Sequence, residues 1–292
     1  MIDNFSSKKI QKDLYKITKK QFSIEYINKT IKIIFENIVL SKKKKFLISG
    51  AQGCGKTTLL KLINENFYNF YNLRPLCISL DDYYLTKNQR VQLSNKIHPL
   101  FITRGVPGTH DIERLVKTIN LFDKKKYPIK INKFDKLFDD RSDKTEIISS
   151  KKDIIILEGW CCNCSFIEKK YLEKNFNKIE KMDNNYIWRN YYNNKLKNEY
   201  RSLFNKFEYS IFLKIPSFKN VLNWRLNQEK QLLLNLSKKN HLIRLNDIKN
   251  FILYYEKITK WMLLKKNIKA SLIIYVGKNQ KIKRIIKKEA TF

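Results

Sequence analysis

The sequence has 292 residues, of which 43% are hydrophobic and 13% aromatic, so the chain is long and apolar enough to fold around a sizeable core. It contains 60 lysines and arginines against 27 aspartates and glutamates, a net charge of +33, and it lacks the run of about 18 apolar residues that a membrane-spanning helix needs. These values exclude a disordered chain and a transmembrane protein, and they predict a cytoplasmic protein that works away from membranes.

The positive charge could indicate nucleic-acid binding. The basic residues are mostly lysines, however, and asparagine and isoleucine are also abundant, which indicates a compositional bias spread over the surface. We therefore expect no specific nucleic-acid partner. A nucleic-acid-associated NTPase is the alternative from another functional class, and binding to random DNA that persists at physiological salt would favour it.

The five cysteines do not predict disulfides or a metal site. Their number is odd, and three of them crowd into the segment CCNC at residues 161–164. A structural zinc site would need pairs of ligands at regular spacing, and none of the three histidines lies near this segment. Free cysteines fit a reducing compartment, in agreement with a cytoplasmic protein.

The first predicted elements are helices. In residues 1–43 apolar residues recur every three to five positions, as in amphipathic helices. They are Ile10, Leu14, Ile17, Phe22, Ile27, Ile31, Ile34 and Ile38. We predict that residues 1–43 form a helical N-terminal extension, followed by a short strand in KKFLISG.

Three of the chain's 7 glycines lie at the end of this strand and just after it. Their segment fits the pattern G-x-x-x-x-G-K-[ST] and leads into the helical segment KTTLLKLINENFYNF. Between a strand and a helix, this pattern forms a phosphate-binding loop whose backbone N–H groups point inward. Lys56 would reach the β- and γ-phosphates, and the Thr57 hydroxyl would ligate Mg²⁺. The predicted ATP-binding residues are Gly50, Ala51, Gln52, Gly53, Cys54, Gly55, Lys56, Thr57 and Thr58.

The next strand, PLCISLDDYY, ends in two carboxylates, Asp81 and Asp82. Ligands bind at the carboxyl ends of strands in parallel sheets, so the pair is expected beside the phosphate loop. One aspartate could accept a proton from a substrate hydroxyl, and the other could help to hold Mg²⁺ through water. The alternative is a structural pair that caps or turns the chain.

The remaining elements predict an α/β fold. The segment GTHDIERLVKTINLF is expected to be a helix that begins with a capping pair, Thr109 and Glu113. The unbroken apolar runs in DIIILEGW, YSIFLKI and ASLIIYV are typical of strands buried on both faces, and long helices are expected at residues 221–236 and 248–264. Alternating strands and helices predict a parallel sheet with helices on both faces.

Several phosphate-loop classes do not fit. The letters NKFD at residues 132–135 match a guanine-binding motif, but they precede the strand IIILEG, which is the wrong order for a GTPase. Helicases and transport ATPases carry a strand that ends in aspartate, whereas this strand ends at Glu158.

The segments GAQGCGKTTL, SLDDYYLT, RGVPGTHD, KFDK, DDR, IIILEGW and NWRLNQE occur in the order found in D-glycerate 3-kinase and its ATP-binding kinase-like relatives. The sequence resembles this family over roughly residues 44–276; the family lies within the phosphoribulokinase, uridine kinase and pantothenate kinase group of P-loop kinases. The resemblance implies a P-loop kinase fold, a five-stranded parallel sheet sandwiched by helices. Residues 44–292 would form one domain, with substrate-binding insertions at about 84–150 and 160–206.

The resemblance also implies a function: transfer of phosphate from ATP, with Mg²⁺, to a hydroxyl group of a small hydroxy acid. D-Glycerate, giving 3-phosphoglycerate, is the best single candidate, and kinases of the pantothenate, uridine or ribulose-phosphate type are the alternatives. A protein of this fold that binds ATP without turnover is disfavoured by the intact Lys56, Thr57 and Asp81. The protein is expected to be a monomer or a homodimer.

Catalytic roles carry over from the resemblance residue by residue. Asp81 matches the catalytic base, with Asp82 as the less favoured choice, and Glu158 matches a glutamate near the metal and the substrate. Arg225 matches a lid arginine that approaches the transferred phosphate; its alternative is a surface ion pair with Glu229. The predicted catalytic residues are Lys56, Asp81, Glu158 and Arg225, and the predicted metal ligand is Thr57, with Asp82 and Glu158 as further candidates.

The block RGVPGTHD resembles the substrate-facing segment of these kinases, and Arg104, Lys136 and Arg141 are available for an acceptor carboxylate. The predicted acceptor-binding residues are Asp82, Tyr84, Arg104, His110, Asp111, Lys136 and Arg141. The alternatives are that Arg104 anchors its own loop and that His110 is a polar residue at a helix start. The family patterns Y-D-K-S and G-D-R are changed here to FDKL and DDR, which leaves the identity of the acceptor open.

Overall fold

The computed structural model describes residues 4–232 and 238–288, without the side chains of residues 228–245. The strands in these ranges are β1 (Lys45–Gly50), β2 (Pro75–Ser79), β3 (Ile129–Asp135), β4 (Asp140–Ile148), β5 (Ile154–Gly159), β6 (Tyr209–Lys214), β7 (Leu272–Val276) and β8 (Ile282–Lys287). The α-helices are α1 (Ser7–Thr18), α2 (Ile24–Ile27), α3 (Ile33–Leu40), α4 (Lys56–Tyr71), α5 (Lys87–Lys96), α6 (Ile112–Asp123), α7 (Lys169–Leu172), α8 (Lys178–Lys181), α9 (Ile187–Lys195), α10 (Arg201–Phe204), α11 (Phe218–Leu232), α12 (Lys238–Leu253) and α13 (Glu256–Leu263).

The central sheet has the strand order β2-β5-β1-β6-β7-β8. The first five strands are parallel, which confirms the predicted five-stranded parallel sheet, and β8 adds an antiparallel edge that the sequence analysis missed. All six residues of β5 are buried, as expected for a strand covered on both faces. Strand β8 has the sequence IKRIIK. Because it is partly exposed and half of its residues are charged, it lacks the unbroken apolar run that identified the parallel strands.

The parallel register brings three functional segments to one edge of the sheet. Ser49 of β1 pairs with Gly159 of β5, and Ser79 of β2 pairs with Glu158. The phosphate loop therefore leaves β1 beside the carboxyl end of β5. Asp81 follows β2 on the other side of β5, in a short 3₁₀ turn, Leu80–Tyr83.

The predicted N-terminal helices are present, and they pack on α4. Ile10 and Leu14 of α1 are buried together with Ile27 and Ile34 of the next helices. The buried Asn66 side-chain amide on α4 donates a 3.1 Å hydrogen bond to Asp13 Oδ2 on α1. Helices α2 and α3 form one continuous helix through a π-helical turn, Asn28–Lys32. The division of the chain into an N-terminal extension and a kinase domain stays a prediction. None of the described helices is long and apolar enough to cross a membrane.

The segment predicted as the first insertion contains an antiparallel hairpin, β3–β4, that the sequence analysis did not predict. Strand β4 is mostly exposed and charged, so it lacks the alternating apolar residues by which a half-buried strand is recognised. Two predicted helices also differ from the structure. Helix α6 is capped by Asp111 rather than by Thr109, and the helix predicted at residues 248–264 is divided between α12 and α13. Positions 233–236 of the helix predicted at 221–236 lie outside the described residues.

Candidate active site

The phosphate loop has the backbone conformation that its glycines predict. Gly50 has φ 148°, and a Cβ atom there would lie 2.8 Å from the carbonyl oxygen of Leu213 on β6. Gly55 has φ 104° with open space around it, so its requirement is conformational rather than steric. The loop therefore turns directly into α4, and the N-terminus of this helix faces the cleft described below.

Lys56 is buried, and its Nζ donates a 3.1 Å hydrogen bond to the carbonyl oxygen of Ala51. Burial by itself would lower the pKa of the Lys56 ammonium. The acidic groups of Cys54, Glu158 and Asp81 nearby outweigh this effect and hold the pKa above its ordinary value. Lys56 is therefore a fixed positive charge beside the loop.

The side chains of Glu158 and Thr57 lie together beside the loop. Glu158 Oε1 accepts hydrogen bonds from Ser79 Oγ at 2.9 Å and from Thr57 Oγ1 at 3.3 Å. Burial raises the pKa of the Glu158 carboxyl, although Lys56 acts in the opposite direction. The Thr57 hydroxyl and the Glu158 carboxyl group thus lie next to the phosphate loop.

The two adjacent aspartates face different surroundings. Asp81 Oδ2 accepts a 2.6 Å hydrogen bond from Lys136 Nζ. Burial would raise the pKa of Asp81, but the charge and hydrogen bond of Lys136 lower it below its ordinary value, so this carboxylate is ionised at neutral pH. Asp82 instead contacts Lys133 Nζ at 3.1 Å and the backbone N–H of Phe134 at 3.3 Å. It anchors the β3–β4 hairpin, and no described contact supports its predicted role in metal or acceptor binding.

A cleft with a volume of about 590 Å³ runs along this edge of the sheet. The predicted residues that line it are Gln52, Gly53, Cys54, Gly55, Lys56, Thr57, Thr58, Asp81, Tyr84, Arg104, Lys136, Glu158 and Arg225. Gly50 and Ala51 lie at the start of the loop, behind this lining. The structure thus brings together the predicted ATP-binding and catalytic residues with three of the predicted acceptor-binding residues.

Arg104 lines the cleft as one member of a charged cluster. Its Nη1 donates to Asp139 Oδ1, while Asp139 Oδ2 accepts from Nη1 and Nη2 of Arg90 at 3.0 Å each. The Arg104 guanidinium also lies 5.2 Å from the ring centre of Phe251. Arg90 of α5 is fully buried. The sequence analysis missed it because the sequence of α5 does not show that Asp139, at the tip of the β3–β4 hairpin, packs against this helix.

The other predicted acceptor-binding residues lie outside the cleft lining as described. Asp111 caps α6 by accepting a 3.0 Å hydrogen bond from the backbone N–H of Arg114, so its carboxylate already occupies this helix N-terminus. Arg141 Nη2 lies 3.4 Å from Asp111 Oδ2. The prediction that Arg141 closes on an acceptor anion therefore has no described contact in its favour.

His110 is buried directly behind Tyr84. The two rings stack with centres 4.3 Å apart, and His110 Nδ1 lies 2.6 Å from the hydroxyl of Tyr200. His110 Nε2 is buried and has no hydrogen-bond partner among the described residues. Burial lowers the pKa of His110 to about 3, against a weaker opposing effect of Asp81. The imidazole is therefore neutral and does not add positive charge for an acceptor anion.

The buried imidazole should make the protein less stable in mild acid. Because the pKa of His110 is about 3 in the folded protein and 6.5 as its ordinary value, the unfolded state binds more protons between these pH values. Its contribution to stability is complete above pH 6.5 and is lost as the pH falls toward 3. Urea denaturation should show the free energy of unfolding falling by about 2 kcal/mol from pH 7 to pH 5 through this group. In His110→Phe, which keeps a ring against Tyr84, this part of the pH dependence should disappear, and an unchanged pH dependence would contradict the assignment.

The sheet, the phosphate loop and the carboxylates beside it give the chain the fold of the P-loop kinases. No family model matches the chain. It is 29% identical over 203 residues to the uncharacterized kinase mug58 of Schizosaccharomyces pombe, covering 65% of this chain and 72% of that protein. It is 28% identical over 239 residues to the probable ATP-dependent kinase TDA10 of Saccharomyces cerevisiae, covering 74% and 77%.

Solved structures show the same fold. D-Glycerate 3-kinase from Cryptococcus neoformans var. grubii serotype A superimposes with a TM-score of 0.69 at 20% identity, over 88% of this chain and 96% of that chain. The YGR205w protein superimposes with a TM-score of 0.63 at 23% identity, over 91% and 96%. The resemblance to the D-glycerate 3-kinase group of P-loop kinases is thereby confirmed at the level of the fold.

Proposed function

We propose that the protein is an ATP-dependent kinase that phosphorylates a hydroxyl group of a small hydroxy acid, with D-glycerate as the best single candidate. The observation that carries the proposal is the convergence of Lys56, Glu158 and Asp81 on one cleft from three neighbouring strand ends. The names of the two curated relatives support kinase activity, and one of them supports the use of ATP. The name of one solved structure supports glycerate.

The phosphate chain of ATP would bind along the loop. Backbone N–H groups at the start of α4 and the Lys56 ammonium provide positive charge before the substrate arrives, so little reorganisation is needed in the transition state. Arg225, which lines the cleft from α11, would contact the transferred group. In this arrangement catalysis comes from positioning and from charge stabilisation.

The residues beside the loop fit Mg²⁺. Thr57 Oγ1 and Glu158 Oε1 are both oxygen atoms of the kind that coordinates Mg²⁺, and they lie 3.3 Å apart. Proteins usually hold Mg²⁺ through one or two side chains together with substrate phosphates and water, so these two side chains would suffice beside bound ATP. When bound, Mg²⁺ would neutralise charge on the β- and γ-phosphates.

Asp81 would act on the acceptor. It is ionised and lies in the same cleft as Lys56, so it can orient the attacking hydroxyl and accept its proton as the phosphoryl group is transferred. Lys136 Nζ is hydrogen-bonded to Asp81, and its side chain is 60% exposed. In the proposed complex this ammonium group would turn from Asp81 to the acceptor. Both residues belong to the end of the cleft near the β3–β4 hairpin.

An acceptor carboxylate would bind near Arg104. Arginine presents two parallel N–H donors that match a carboxylate, and Arg104 lines the cleft beside Tyr84 and Lys136. Arg104 is already paired with Asp139, so the acceptor must share the guanidinium with this aspartate or displace it. This competition would disfavour acceptors with only a weak negative charge.

Arg104→Ala should raise KM for D-glycerate by about 10- to 100-fold, because a charge-assisted hydrogen bond in a partly buried site is lost. KM for ATP should change little. The measurement is steady-state ADP release with each substrate varied in turn, and Arg201→Ala, at an exposed position, is the matched control. Replacing glycerate by glycerol should remove most of kcat/KM in the unchanged protein. Equal turnover of glycerol and glycerate would rule out a carboxylate-binding arginine.

The proposed reaction is tested by incubating the protein with Mg²⁺-ATP and a panel of hydroxy acids, nucleosides and pantothenate, and by following ADP release. We expect the fastest release with D-glycerate. Preferred turnover of uridine or pantothenate would assign the protein to another branch of the same kinase group. ADP release with none of the panel, while ATP binds, would contradict the proposed acceptor class.

A further inference from the structure

The cleft extends past the phosphate loop in the direction away from Asp81. Part of its wall comes from two segments outside the predicted functional motifs: residues 18–26, which we call the N-terminal segment, and the β7–β8 turn, residues 277–281. The lining residues from these segments are Thr18, Lys20, Phe22, Tyr26, Asn279 and Gln280. The cleft lining also includes aliphatic side chains such as Ile17 and Ile31. In the sheet, β1 and its phosphate loop lie between β2, which leads to Asp81, and β7, which leads to the β7–β8 turn. The N-terminal segment contacts this turn, so it lies on the side of the loop away from Asp81.

Direct contacts fix the N-terminal segment relative to the phosphate loop. Lys20 Nζ donates a 3.0 Å hydrogen bond to Gln280 Oε1, and Gln280 Nε2 donates a 2.8 Å bond to the carbonyl oxygen of Gly53 in the loop. The hydroxyl of Tyr26 accepts a 2.8 Å bond from the backbone N–H of Ile282. A segment more than 20 residues before the loop is thus joined to it through the β7–β8 turn.

The two ends of the cleft differ in chemistry. Both carboxylates among the described lining residues, Asp81 and Glu158, lie on the Asp81 side of the loop. The other end presents the amides of Asn279 and Gln280, the Lys20 ammonium bonded to Gln280, and the rings of Phe22 and Tyr26. These two rings stack with centres 5.2 Å apart at an angle of 27°. Uncharged hydrogen-bonding groups and aromatic rings are suited to a nucleobase, whereas paired carboxylates are not.

The direction of phosphoryl transfer determines which end holds the nucleoside. The attacking and leaving oxygens lie roughly in line across the transferred group, so the acceptor and the nucleoside lie at opposite ends of the phosphate chain. If Asp81 activates the acceptor and Lys56 holds the phosphates, the nucleoside must extend away from Asp81. That direction leads to Phe22, Tyr26 and Gln280.

We propose that the N-terminal segment, with Phe22 and Tyr26, forms one wall of the subsite for the base of the nucleoside triphosphate. The inference rests on the proposed kinase function and gives the N-terminal extension a direct role in it. The β7–β8 turn forms the facing wall, and Gln280 connects both walls to the phosphate loop.

The test compares ligands that share the phosphates but differ in the base. Isothermal titration calorimetry of the full chain with Mg²⁺-ATP and with Mg²⁺-tripolyphosphate should show that Phe22→Ala weakens ATP binding about 10-fold and leaves tripolyphosphate binding unchanged. Phe22→Leu keeps an apolar side chain against the core but removes the aromatic ring, so it should also weaken ATP binding. Tyr15→Ala, which removes a half-exposed aromatic residue of α1 outside the cleft lining, is the matched control and should change neither affinity.

The outcomes separate this inference from the proposed function. Unchanged ATP affinity in both Phe22 variants, or an equal loss of affinity for ATP and tripolyphosphate, would overturn the base subsite and leave the kinase proposal standing. Absence of ATP binding by the unchanged protein would overturn both. Retained tripolyphosphate binding in a variant also shows that its phosphate loop is folded.

Discussion

Replacing Lys56 with alanine should reduce kcat by about 10²- to 10³-fold. Lys56 is the buried, protonated side chain next to the phosphate loop, and its removal takes away the charge that would stabilise the β- and γ-phosphates in the transition state. The measurement is ADP release at saturating Mg²⁺-ATP with the best acceptor from the panel.

Lys61→Ala is the control for this variant, because Lys61 lies on the same helix, α4, at an exposed position. It should retain the activity of the unchanged protein. Thermal denaturation of both variants would show whether loss of activity reflects loss of folding. Near-normal activity in Lys56→Ala, with the fold intact, would mean that the phosphate-loop assignment is wrong.

Asp81→Asn should reduce kcat by about 10²- to 10⁴-fold while ATP binding changes little. The amide has the shape of the carboxylate but cannot accept the proton of the acceptor hydroxyl. Asp81 lies on the acceptor side of the loop, so the nucleotide loses no direct contact in this proposal. Calorimetric titration with Mg²⁺-ATP and steady-state kinetics would separate the two effects.

The adjacent Asp82 provides a matched comparison. Its carboxylate contacts Lys133 and Phe134 of the β3–β4 hairpin, and Asp82→Asn should therefore have a smaller effect on kcat. An effect that depends strongly on Mg²⁺ concentration would support the metal role predicted from the sequence. If Asp82→Asn were the more damaging change at saturating Mg²⁺, the roles of the two aspartates would have to be exchanged.

The sequence alone was sufficient for the phosphate loop and for the parallel strands. The loop residues from Gly50 to Thr58 are contiguous, so their spacing encodes the turn, the helix start and the positions of Lys56 and Thr57. Strands such as β5 are apolar at nearly every position because helices cover both faces of the sheet. Local patterns of this kind depend on neighbouring residues, and they are therefore visible in one sequence.

Differences between adjacent aspartates could not be predicted in the same way. The sequence analysis favoured Asp81 over Asp82 only through a family resemblance. In the structure a turn of 3₁₀ helix directs the two side chains to different partners, Lys136 and Lys133. Which of two neighbouring carboxylates faces a cleft depends on the chain that packs against them, and here that chain lies more than 50 residues away.

The sequence by itself determined the fold class, the phosphate loop and the order of the motifs around it. Only the tertiary structure decided that Asp139 pairs with Arg104, that the β3–β4 hairpin bonds to Asp81, and that the N-terminal segment reaches the phosphate loop through Gln280. The physical reason is distance along the chain. Each of these contacts joins residues that are separated by tens to hundreds of positions, and such pairs form only when the packing of the core brings their elements together.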